Sequence, residues 1–144
     1  MIMKKISILT VVAISLAFVA CGQKIDATKV PANVKASFTK SYPGITAKWE
    51  KENGKYEVNF KKDGNTMSVL IETNGNIVET ETDIKITELP ATVLAYVKQH
   101  YPGKNIKEAA KLVKADGSVN YEAEVNGKDV IFDANGKFIK EAKD

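Results

Sequence analysis

The chain writes one opening twice, and this constrains its fold more than any other feature. Residues 30–45 read VPANVKASFTKSYPGI, and residues 89–104 read LPATVLAYVKQHYPGK. At an offset of 59, Val30 matches Leu89, Pro31 Pro90, Val34 Val93 and Phe38 Val97. Tyr42-Pro43-Gly44 then matches Tyr101-Pro102-Gly103. In each copy an apolar residue recurs every four positions, giving one stripe along a short amphipathic helix. The proline near each start is expected just inside the helix, where its missing N–H costs nothing. Pro43 and Pro102 disfavour helical geometry in the tyrosine before them, and the following glycine permits a sharp exit. Tyr-Pro-Gly is therefore read as the end of a helix, with the tyrosine ring closing the apolar stripe.

A period of two follows each helix. Tyr56, Val58 and Phe60 alternate with Glu57, Asn59 and Lys61, and in the second half Tyr121, Ala123 and Val125 alternate with Glu122 and Glu124. This is the pattern of strands with one buried face. Asn-Gly and Asp-Gly pairs at 53, 63, 74, 116, 126 and 135 supply the hairpin turns between them. Strands are expected near 45–51, 55–62, 66–73 and 76–82, then 105–114, 118–125, 128–133 and 137–141. The predicted fold is α+β, in two tandem repeats (30–83 and 84–144), each a short helix followed by a four-stranded antiparallel sheet. Trp49 shares strand parity with Ile45 and Ala47 and is assigned to the core.

Residues 1–20 place Lys4 and Lys5 ahead of an apolar run from Ile6 to Ala20, the pattern of an export signal. Cys21 follows directly, between Ala20 and Gly22, as in a bacterial lipobox, and is the candidate lipidation site. Residues 21–29 are then expected to be a polar tether from the lipid to the domain. The protein is accordingly predicted to be exported and lipid-anchored, facing the periplasm or the cell exterior, with membrane contact through the anchor only. All 21 basic residues are lysine; without Lys4 and Lys5 there are 19, against 18 acidic residues, a formal net of +1. That balance offers no electrostatic footprint for nucleic acid.

The helix, the strands and the two [VL]PA…YPG openings, with YEV at 56–58 and YEAEV at 121–125, resemble the PepSY-like, β-lactamase-inhibitor-like proteins of the bacterial envelope. These are often lipoproteins of Bacteroidetes, and the resemblance spans about residues 30–144. It implies an inhibitor-like fold and a binding role without catalysis.

Catalytic and metal-binding sets are not legible. His100 is the sole histidine, and its counterpart in the first half is Ser41. It reads as an exposed helix-end residue beside the C-terminal dipole rather than as a hydrolytic base. One histidine and one cysteine do not make a conventional zinc set, and no cofactor motif appears. The distinctive surface feature is an aliphatic residue in an otherwise polar strand row of each half, Leu70 and Ile131. With Glu57, Asn59, Lys61, Glu122 and Glu124 around them, these residues form the candidate protein-binding surface: an apolar centre with a polar rim. Two expectations compete. One is a non-enzymatic module binding an envelope or extracellular protein, as an inhibitor or modulator. The other is a carrier or accessory protein holding a small apolar ligand between helix and sheet.

Overall fold

The computed structural model describes residues 22–143, so the export signal and Cys21 lie outside the described residues. Two helices and one nine-stranded antiparallel sheet make up an α+β fold. The helices are α1 (Ala32–Ser41) and α2 (Ala91–His100). The strands are β1 (Gln23–Ile25), β2 (Ala47–Glu52), β3 (Lys55–Lys62), β4 (Asn65–Ile71), β5 (Ile77–Asp83), β6 (Ile106–Lys114), β7 (Val119–Val125), β8 (Lys128–Asp133) and β9 (Phe138–Lys143). Their order in the sheet is their order in the chain.

Two expectations change here. The halves do not carry separate four-stranded sheets, because β5 pairs with β6 from Glu79↔Lys114 to Asp83↔Ala110 and makes the sheet continuous. The residues expected to form a tether are also structured. Gln23–Ile25 pair with Trp49–Lys51 of β2, and Ile25 packs against the first core. A three-residue strand is too short to show a period, so only the burial of Ile25 beside Trp49 gives it away. Ala27–Lys29 then form a 3-10 turn, capped where Asp26 Oδ1 accepts from the Thr28 N–H at 2.8 Å.

The prolines stand one place earlier than expected. Pro31 and Pro90 are N-caps with extended ψ of 144° and 141°, and the helices begin at the alanines after them. Tyr42 and Tyr101 end the helices, each donating its backbone N–H to the carbonyl four residues back, Phe38 and Val97, at 2.8 Å. Gly44 and Gly103 follow with φ of +74° and +73°, backbone that a side chain would strain.

Each helix covers its own stretch of sheet. Val34 and Phe38 of α1 pack on Trp49, Tyr56, Val58, Phe60, Val69 and Ile71. Val93 and Val97 of α2 pack on Ala109, Ala123, Val125, Val130 and Phe132. Both helices lie on the same face, as the register shows, because directly paired residues share a face. Met67 of the first cluster pairs with Thr82, Thr82 with Lys111, Lys111 with Tyr121, and Tyr121 with Phe132 of the second. Among the described residues the other face carries no helix.

Candidate functional site

All seven residues of the candidate binding surface lie on the uncovered face. Glu57, Asn59 and Lys61 sit on β3, Leu70 on β4, Glu122 and Glu124 on β7, and Ile131 on β8. Cross-strand pairing fixes their side: Glu57↔Leu70↔Glu79, Asn59↔Ser68↔Glu81, and Ala110↔Glu122↔Ile131↔Lys140. Leu70 and Ile131 do not form one apolar patch. Four strand spacings separate them, about 19 Å along the sheet.

The ground between them holds residues that the sequence pattern did not single out. Ala110 and Leu112 of β6 lie on this same face, 4% and 7% exposed, and Ile131 is 8% exposed. The apolar centre is therefore built at β6 and β8 and is already shielded from water by flanking side chains, whereas Leu70 stays half-exposed. Glu124 is buried rather than part of an exposed rim, and its Oε1 accepts from Lys107 Nζ at 3.1 Å. A hollow of about 220 Å³ opens beside this centre, lined by Glu79, Leu112, Asn120, Asp129, Ile131 and Lys140 among others.

The strand expected at 76–82 is present as β5, but its contribution to this face was not singled out from the sequence. Its Glu79 and Glu81 point to the uncovered face while Thr80 and Thr82 point to the helix side. Burial, reinforced by the carboxylates of Glu57, Asp83, Glu79 and Asp129, pushes the Glu81 carboxyl up to about 7. Burial also raises Glu57, with Glu50 and Glu52 adding to it and a hydrogen bond with Ser68 opposing it. The middle of the uncovered face thus combines shielded aliphatic groups with crowded acids.

His100 ends α2, exposed, its ring stacked on Tyr96 at 4.0 Å between centroids. Under each helix the core is filled, with Val34, Val58, Val69, Val93, Val125, Val130 and Phe132 all fully buried, and an open hollow of about 520 Å³ lies beside α2, lined by Ile86, Leu94, Val97, Tyr101 and Ile106 among others. Among the described residues no His, Cys, Asp and Glu set is placed to hold a metal ion, and no helix is long and apolar enough to cross a membrane.

A family model described as "Putative beta-lactamase-inhibitor-like, PepSY-like" matches this chain twice, over residues 19–79 and 65–140. A BLIP-like protein from Bacteroides fragilis is 26% identical, with a TM-score of 0.62 over 78% of this chain and 85% of that one. A DUF2874 family protein from Bacteroides uniformis is 20% identical, with a TM-score of 0.69 over 78% of this chain and 88% of that one. A protein of Bacteroides eggerthii described as periplasmic is 16% identical, with a TM-score of 0.70 over 79% and 88% of the two chains. Among curated proteins none matches.

Proposed function

From the chain's membership of the β-lactamase-inhibitor-like, PepSY-like family, we propose that it is a non-enzymatic protein-binding module of the cell envelope, an inhibitor or modulator of an envelope or extracellular protein, acting through the uncovered sheet face. The observation that carries this reading is a whole sheet face with an aliphatic centre and, among the described residues, no helix over it. A sheet face that meets only water commonly carries polar groups. Nine strands about 4.8 Å apart, all but the short β1 about 20 Å long or more, present roughly 800 Å², about one partner's share of a standard interface.

The chain is further read as two copies of one helix-plus-four-strand unit, and matching tertiary contacts support this. Asn33 Nδ2 donates to the Thr73 carbonyl at 2.8 Å, tying the start of α1 to the β4–β5 turn. Thr92 Oγ1 donates to the Asn135 carbonyl at 2.9 Å, tying the start of α2 to the β8–β9 turn. Export through residues 1–20 and lipidation of Cys21 complete the proposal, with β1 beginning two residues after the anchor. Incorporation of labelled palmitate by the wild type and its loss in Cys21→Ser is the expected result.

The binding reading is tested by capture of partners from the native envelope with the wild type, Leu70→Lys on the uncovered face, and Lys98→Glu on the exposed side of α2. The expected result is one partner held by the wild type and Lys98→Glu and lost by a folded Leu70→Lys. Identical captures by all three would refute it.

A further inference from the structure

We infer that the uncovered face takes a cationic protein segment, with a lysine or arginine laid along Leu70 and its charged head among Glu57, Glu79 and Glu81; this rests on the protein-binding reading above. The apolar centre cannot supply the selectivity. Ala110, Leu112 and Ile131 are already 4–8% exposed, so a partner would remove little further apolar surface from water there. What discriminates one partner from another on this face is therefore its charge.

The charge is one-sided. The chain has a formal net of +3, yet the open side of β5 is acidic throughout, with Glu79, Glu81 and Asp83. The register frames one spot. Leu70 has Glu57 directly opposite on β3 and Glu79 directly opposite on β5. Glu81 stands two pairs further along β5, on the same face, opposite Ser68. Leu70 is the half-exposed aliphatic residue between these acids, and the aliphatic stem of a lysine or arginine lies readily on such a surface with its head in a polar frame. Lys114, opposite Glu79 on β6, sits on the far side of β5 from Leu70, and the other cations near this spot on the same face are Lys48 of β2 and Lys55 and Lys61 of β3. Burial is the larger cause of the raised Glu81; the repulsion from neighbouring carboxylates that adds to it is the part an incoming cation would relieve.

A bare metal ion fits this frame poorly, since the carboxylates of Glu57 and Glu79 are carried two strands apart, about 10 Å along the sheet. Among the described residues no such group is placed to hold a metal. An ammonium or guanidinium on a long side chain spans the gap with several donors. An acidic or phosphorylated partner would meet repulsion at the same place.

The test uses two blocked peptides, Leu-Arg-Leu-Arg-Leu and Leu-Glu-Leu-Glu-Leu, titrated into the isotope-labelled protein and followed by amide chemical shifts. At about 50 mM salt the arginine peptide is expected to bind at least tenfold more tightly than the glutamate peptide. Its shifts should centre on Ser68, Leu70, Glu79 and Glu81. In the double variant Glu79→Gln, Glu81→Gln its affinity should fall about tenfold. Equal binding of the two peptides, arginine-peptide shifts elsewhere, an unaffected double variant or no binding at all would each overturn the inference. Failure of the cationic inference is distinguishable from failure of the protein-binding reading. A captured partner that is lost by Leu70→Lys but presents an acidic contact surface would leave that reading standing and overturn only the cationic one.

Discussion

Glu81→Gln should make the protein more stable, with a gain that is absent in acid, grows from about pH 4.5 to 7 and is complete above that. In the unfolded chain a glutamate ionises near its ordinary value of 4.5, whereas in the fold burial and four neighbouring acids hold Glu81 up to about 7. A raised value means that the folded state binds more protons than the unfolded state between those two pH values, so stability falls as pH rises through that window. Below it both states are protonated and the site costs nothing; above it the folded protein carries the whole cost. The rise from 4.5 to about 7, at about 1.36 kcal/mol per pH unit, sets a ceiling near 3.4 kcal/mol. Glu81 keeps part of its surface in water, so about 2 kcal/mol is the working figure. Glutamine keeps the shape and removes the charge. Thermal unfolding followed by circular dichroism at pH 4 and pH 8.5 should show nearly equal midpoints at the lower pH. At the higher one the variant should melt roughly 6–10 °C above the wild type, taking about 3–5 °C per kcal/mol for a domain of this size. A gain of the same size at both pH values, or a less stable variant at pH 8.5, would refute the reasoning.

Three further perturbations probe the frame that holds this face. Gly136→Ala should cost about 2–4 kcal/mol in urea unfolding, because its φ is +76° and an added Cβ would collide with the Thr92 side chain. Gly117→Ala, at φ +82° in open space, should cost only the backbone strain of about 1–2 kcal/mol, and equal losses would show that the close approach to α2 is not what matters. Phe132→Ala empties a fully buried site between Tyr96 and Phe138 and should cost about 3–5 kcal/mol by the same measurement, with a loss under about 1 kcal/mol contradicting the packing described. Tyr101→Phe removes a hydroxyl that donates to Glu141 Oε2 at 2.5 Å, while Glu141 Oε1 accepts from Lys128 at 2.6 Å. It should cost about 0.5–1 kcal/mol, and Tyr42→Phe, whose ring stacks on Phe38 and tilts against Phe60, almost nothing; equal effects would dissolve the difference between the two halves.

The two tyrosines show how far local pattern reaches. Both end a helix through the same backbone bond and the same glycine, and this was legible because helix stops are written in neighbouring residues. What the hydroxyl of Tyr101 meets depends on Glu141 of β9, 40 residues away, and no local pattern reports that. Strand parity was legible for the same reason wherever one face was aliphatic and the other polar, as in β3 and β7. It failed at β5, where threonines on one face and glutamates on the other are polar alike and the alternation carries no contrast. It failed again at β6, where Ala109 beside Ala110 and Leu112 beside Val113 put apolar groups on both faces, and a register shift between Ile106 and Glu108 breaks the period.

Those two strands are the seam at which the halves meet, and this joins the fold to the proposed function. Each helix is long enough to cover only its own three or four strands, and both lie on one side, so joining the halves edge to edge doubles the uncovered face without adding anything to cover it. The strand that closes the seam must then be acceptable on both sides. On β6 this puts Ala110 and Leu112 against the open face, and on β5 it puts Glu79 and Glu81 beside them. Close-set carboxylates next to shielded aliphatic groups cost stability, as the raised Glu81 indicates, and nothing in the packing of the two cores requires them. A chain selected for stability alone would place threonine or lysine on that row. Glutamates placed there at a cost are what a surface built to meet a cationic partner would carry.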